Sequence, residues 1–299
     1  MIKIRLKEVS FDDLKSLVKE LDWTSIAEIL KRNKGSRGTK PLFTPVMCFK
    51  AHILAALLEI EDDTELARRI GQNRDYVAFC GMPKAPSHDV LTDFRTNYHH
   101  KIKKAFDYFD DLLESLGAFK GDALSNDGTD VPVPMKNNQS PHQYHFGAKS
   151  DKKKFHGFWL MIACSVRHQI ARSFEVGYAR EGQITICKDM LSYRRIDDSK
   201  ENYYFFMDGI FDCQEIYGLV LKGQGKLPII AYNKRGSSYE SIEELPDDDW
   251  RFMYNPLLRF PAYFYLIYTQ RTSSERVNSH SKAYTLISRI ANKEKKNKT

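Results

Sequence analysis

Three acidic residues stand in surroundings that give them more than surface charge. In LSNDGTDVPV (124 to 133) an apolar-polar run leads into Asp127, and Gly128 behind it permits a sharp turn or a close backbone approach. In NYYFFMDGIFDCQEIYG (202 to 218) four aromatic residues and a methionine form a buried-strand signal that stops at Asp208, again before a glycine. A carboxylate at the end of a core strand is costly to bury unless it is paired or holds a metal ion. The third residue is Glu275, in YTQRTSSERVNSHSK (268 to 282). At 100° per residue, Tyr268, Arg271, Glu275 and Lys282 fall within an arc of about 60° on a helix. A carboxylate between two cations and a phenol suits a site that handles both a divalent metal and phosphate: the carboxylate takes the metal, and Arg271 and Lys282 hold phosphodiester oxygens.

Each feature also has a structural reading. An aspartate before glycine is a common turn residue. Thr272-Ser-Ser-Glu275 fits a capping box that starts a helix at Thr272 and leaves only Glu275, Ser279 and Lys282 on one face. Asp212 reads as the N-cap of the helix after Asp208. Asp122 and Asp130 flank the first site, so the choice of Asp127 rests on its position in the run.

The elements that must position these residues change character near residue 118. Before it, helical periodicity dominates: two amphipathic helices over 11 to 33 (Leu14, Leu17, Val18, Leu21, then Trp23, Ile26, Ile29, Leu30) and a basic linker, KRNKGSRGTK (31 to 40), that is either a solvated loop or a phosphate-contacting arm. Further helices follow over 45 to 60, 62 to 73 behind an Asp or Thr cap, and 86 to 117, closing on a glycine. After residue 118, ALSND, VPVP, FHGFWLMIACSV and IARSFEVGYA are β-rich runs. A helical TICKDMLSYRR, the strand YYFFMD, a helix-like CQEIYGLVLKG and the strand LPIIAYN follow. The expected fold is α/β, a mixed sheet flanked by helices and preceded by an all-α domain. The expected domains are 1–117 and 118–291, with a basic disordered tail over 292–299.

A net charge of +7 favours a polyanionic partner. The first residues reach Glu8, Asp12 and Asp13 before any apolar segment, unlike a secretion signal, and no apolar run is long enough to span a bilayer. Five cysteines without CxxC spacing exclude zinc ribbons and disulfide scaffolds and point to a reducing compartment. His142, His145 and His156 have the composition of a metal site, but Lys149 and Lys152 to Lys154 beside them repel a cation. Trp250, in the acidic EELPDDDWRFMYN (243 to 255), reads as buried rather than as a base contact.

Together these segments resemble the DDE transposases of bacterial insertion sequences, in the group whose third acidic residue lies in a Tyr-x2-Arg-x3-Glu-x6-Lys signature. Tyr268, Arg271, Glu275 and Lys282 match its four positions. The family's Asp-Gly-Thr strand end is matched at Asp127, and its second aspartate strand at Asp208. FGAKSDKKKFHGFWLMIACS (146 to 165) is similar to the segment between those strands, and residues 41 to 95 resemble the helical N-terminal domain. The resemblance implies an RNase H-like catalytic domain and two Mg2+ ions, replaceable by Mn2+, on Asp127, Asp208 and Glu275. It also implies DNA contacts at Tyr268, Arg271, Lys282, Lys149 and Lys153. The implied partners are double-stranded DNA, as terminal inverted repeats and target, and a second copy of the chain on that DNA. The implied setting is a cytoplasmic, nucleoid-associated enzyme without a membrane. Two further expectations stand beside strand transfer: an RNase H-like nuclease or resolvase, which would need the same carboxylates but does not join ends, and, since only residues 276 to 299 follow Glu275, a shortened, inactive DNA-binding repressor.

Overall fold

The computed structural model describes residues 10–31, 41–132, 146–150, 153–196, 203–234 and 238–283. The linker after Lys31, His142, His145 and the tail at 292–299 lie outside them, as do the side chains of Lys149, Lys153 and Lys282. The described residues form two compact units, one ending at Phe109 and the other Asp110–Ala283.

The first unit is helical. Helix α1 (Phe11–Glu20) is opened by a capping box between Ser10 and Asp13, and α2 (Trp23–Ile29) by Asp22. Helix α3 (Pro45–Leu57) follows Thr44 with proline in its first turn, and α4 (Asp63–Gln72) is capped by Asp62. The short α5 (Arg74–Cys80) does not stand out in the sequence; Asn73 closes α4 and caps α5, and left-handed Gly81 ends it. Helix α6 (His88–Ser115) runs on into the second unit. Leu14, Val18, Leu54, Leu66, Ile70, Phe79 and Leu91 form one core cluster, and Ile26, Leu30, Cys48, Phe94 and Ala105 another.

The second unit is built on a six-stranded sheet. Strand β1 (Leu124–Pro132) lies between β3 (Lys153–Ser165), antiparallel to it, and β5 (Tyr204–Met207), parallel to it. Beyond β3 lie β2 (Phe146–Ser150) and β4 (Ala171–Tyr178), and beyond β5 lies the parallel β6 (Leu227–Ile230). Three antiparallel strands continued by parallel ones make the RNase H-like layout that the sequence leads one to expect. One expectation changes: Gly128 makes no turn, because β1 runs straight through Asp127-Gly128-Thr129 and pairs with β3 along its whole length. A Cβ at Gly128 would come within 2.6 Å of Gln183 Oε1, so this glycine serves a close approach instead.

Both faces of the sheet are covered. Helices α7 (Gln183–Tyr193) and α8 (Gln214–Gly218) cover one, where Leu124, Met161, Phe205 and Met207 meet Ile186, Cys187, Met190 and Ile216. On the other, Phe206 and Ile229 pack with Phe252 of α9 (Trp250–Tyr254) and with Phe264 and Ile267 of α10 (Pro261–Tyr268). A single 3-10 turn, 269 to 271, joins α10 to α11 (Thr272–Ala283), and Tyr268, Thr269 and Thr272 all keep helical backbone angles. Thr272 is therefore not an extended N-cap, and its hydroxyl donates back to the Thr269 carbonyl. Asp212 is not a cap either: it accepts from Arg251 Nε at 2.9 Å and from the Asn233 N–H at 3.0 Å. Trp250 is half-buried, edge-on to Tyr217 with centroids 5.1 Å apart.

Candidate active site

Strand alternation sorts the residues of β1. Asn126 and Gly128 face α7, where Asn126 reaches Cys187, while Ser125 and Asp127 face α11. The parallel pairing of β1 with β5 stops at Asn126 and Met207, so Asp127 and Asp208 are the next residues on neighbouring strands. Paired strands lie about 4.8 Å apart, which makes these carboxylates neighbours at the point where β1 and β5 separate. Such a split, here at the carboxyl end of β5, is where open α/β sheets place ligands.

Asp127 and Asp208 each accept a hydrogen bond from the next residue's N–H, Gly128 at 2.9 Å and Gly209 at 2.7 Å. Asp127 also accepts from Asn278 Nδ2 at 2.9 Å. Burial raises the Asp127 carboxyl above its ordinary range, and the charge of Asp208 adds to the effect; the Asn278 and Gly128 donors and Arg271 only partly oppose it.

The α10 to α11 run supplies the rest. Glu275 is half exposed and ion-paired with Arg271 at 2.6 Å, one turn away. The Arg271 guanidinium lies 5.8 Å from the Tyr268 ring centre, and that ring stacks on Phe264. Burial pushes the Tyr268 hydroxyl up, and Asp208, Asp127 and Glu275 push it the same way against Arg271. Burial disfavours the charge of Arg271, yet Tyr268, Asp208, Glu275 and Asp127 together outweigh it and raise its pKa. All three carboxylates thus act on Tyr268 and Arg271. They do not meet at one point: among the described residues, no three acidic, histidine or cysteine side chains are grouped closely enough to hold a metal ion.

Residues that sequence reasoning passed over bind these pieces together. Ser273 and Ser274 are buried, small enough for α11 to lie close on the sheet. The hydroxyls of Ser125 and Ser274 are 3.0 Å apart, and both reach the Arg271 carbonyl. The signal available was the pair of small residues beside Glu275 and the place of Ser125 two residues before Asp127. Among the described residues no helix is long and apolar enough to cross a membrane.

Compared with known families, the chain matches a transposase domain (DUF772) over residues 5–97 and a transposase DDE domain over residues 118–299. No curated protein and no solved structure matches it. The DDE match takes in more than half of the chain, including Asp127, Asp208 and Glu275. The chain therefore belongs to the DDE transposase family and is a DDE-type transposase.

Proposed function

We propose that this transposase binds terminal inverted repeats through its N-terminal helices and cuts and joins double-stranded DNA at Asp127, Asp208 and Glu275. The reading includes two Mg2+ ions, with Mn2+ able to replace them, and two copies of the chain on paired ends. Family membership supports it, since DDE transposases generally use divalent metal ions. The observation that carries it is the adjacency of Asp127 and Asp208 at the split between β1 and β5, on the face that also carries Tyr268, Arg271 and Glu275.

The donor chemistry fits a hard divalent cation. Two neighbouring carboxylates, one already raised by burial and by the other's charge, are what such a cation relieves. Glu275 has to leave Arg271 to join them, and because the Glu275 side chain is half exposed, water can solvate it as it leaves. Its release frees Arg271 to hold a phosphodiester oxygen beside Tyr268, with Lys282, Lys149 and Lys153 as further DNA contacts. When bound, the ions supply an activated water or 3′-hydroxyl for attack and compensate charge on the leaving oxygen.

Joining separates this function from that of a nuclease. Given a pre-cleaved inverted-repeat end, a target duplex and Mg2+, the protein is expected to yield joined products. Cleavage without joining would leave the resolvase reading, and DNA binding without either reaction would leave the repressor.

A further inference from the structure

Two hydrogen bonds hold the Asp127 carboxylate. The Gly128 N–H belongs to the same strand. The other donor, Asn278, lies 151 residues further along the chain, on α11, three residues after Glu275. Ser125–Ser274 and Asp127–Asn278 form two rungs between strand and helix. Two strand residues advance about 6.6 Å, and four helical residues about 6.0 Å. The rungs therefore match in pitch and hold α11 in one register along β1. A one-residue slip of the helix would turn Asn278 about 100° away from Asp127 and carry Glu275 with it.

Nothing in the stability of α11 itself calls for asparagine, a poor residue in a helix interior. Asn278 is 5% exposed, and its Oδ1 is buried with no hydrogen-bond partner among the described residues. An unpaired buried acceptor is a cost that native structures rarely carry without a functional reason.

We propose that Asn278 is a positioning residue for the metal-dependent reaction: its amide fixes the Asp127 carboxylate and ties it to the register of the helix that carries Glu275. The inference rests on the reading of Asp127 and Glu275 as metal ligands. Partners that orient a ligand from behind set metal affinity, and their loss typically costs about 10–100-fold.

The test is a Mn2+ titration of the full chain, followed by the electron paramagnetic resonance of free Mn2+, beside the Mn2+ dependence of DNA cleavage. Asn278→Leu keeps the volume and removes the donor. It is expected to weaken Mn2+ binding about 10–100-fold and to shift half-maximal cleavage to higher Mn2+ in parallel. Asn278→His, whose Nδ1 can donate from nearly the same place, is expected to recover part of the affinity. If the leucine variant does not fold, Asn278→Ser, with a hydroxyl too short to reach, carries the same expectation. Wild-type Mn2+ affinity in the leucine or serine variant overturns the role of Asn278. Asp127→Ala is measured alongside: if it too binds Mn2+ as the wild type does, the reading of Asp127 as a ligand fails, whereas its loss of binding beside an intact Asn278→Leu overturns only the present inference.

Discussion

Replacing Asp127 or Asp208 with alanine is expected to lower Mg2+-dependent DNA cleavage by at least about 10³-fold, since metal charge stabilisation supplies several kcal/mol and each 1.36 kcal/mol is tenfold in rate. The two carboxylates sit next to each other where β1 and β5 part, so neither can stand in for the other's place in the crevice. Glu275→Ala is expected to fall as far, although its wild-type side chain is tied to Arg271. Affinity for inverted-repeat DNA, measured by gel shift in the absence of metal, should persist in all three. Any one of them cleaving at the wild-type rate means that its residue is wrongly assigned.

The second large effect concerns stability. Arg172, on β4, is fully buried, stacked 3.8 Å above the Phe119 ring. It donates to Asp110 at 2.5 Å, to Glu114 at 2.6 Å and to the Ile196 carbonyl at 3.0 Å, and Arg194 also reaches Asp110. These pairs, all within the second unit, fasten the last turns of α6, from Asp110 on, to the sheet. Arg172→Ala leaves the buried Asp110 carboxylate short of a partner, which typically costs about 3–5 kcal/mol. For a unit of this size Tm should drop on the order of 10 °C. Arg172→Lys should recover only part, because an ammonium cannot form the planar fork or the same stacking.

The loss should depend on pH in a definite direction. Burial raises the Asp110 carboxyl above its ordinary value even with both arginines present. The folded state then holds this proton more tightly than the unfolded chain, so stability is lost as pH rises from the unfolded value through the folded one. Removing Arg172 raises the folded value further. The deficit of the alanine variant should therefore be full at neutral pH and narrow toward pH 4, as followed by thermal melts. A deficit that widened on acidification would contradict this account of Asp110.

What could be read from the sequence was set by local chemistry. The cap at Asp62 and the aromatic run ending at Asp208 declare themselves within a few residues, and so does the stripe from Tyr268 to Glu275. Where pairing partners are remote, local signals misled. Asp-Gly-Thr has turn chemistry, but the pairing of Asp127 with Ile162 on β3 keeps it in a strand. Asp212 looks like a helix cap, but Arg251, distant in the chain, takes it. Asn278 looked unremarkable because its partner lies on a strand in another part of the sequence. The register of a helix on a sheet has no sequence signature, so Ser125, Ser274 and Asn278 became legible only once β1 and α11 lay together.

Crystals of the protein soaked in Mn2+ and measured by anomalous scattering test whether Asp127, Asp208 and Glu275 share bound divalent cations. Mn2+ peaks are expected within about 2.0–2.3 Å of oxygens from all three side chains, with Glu275 released from Arg271. A peak elsewhere, or soaked crystals in which Glu275 stays on Arg271 and Asp127 and Asp208 bind nothing, would contradict it.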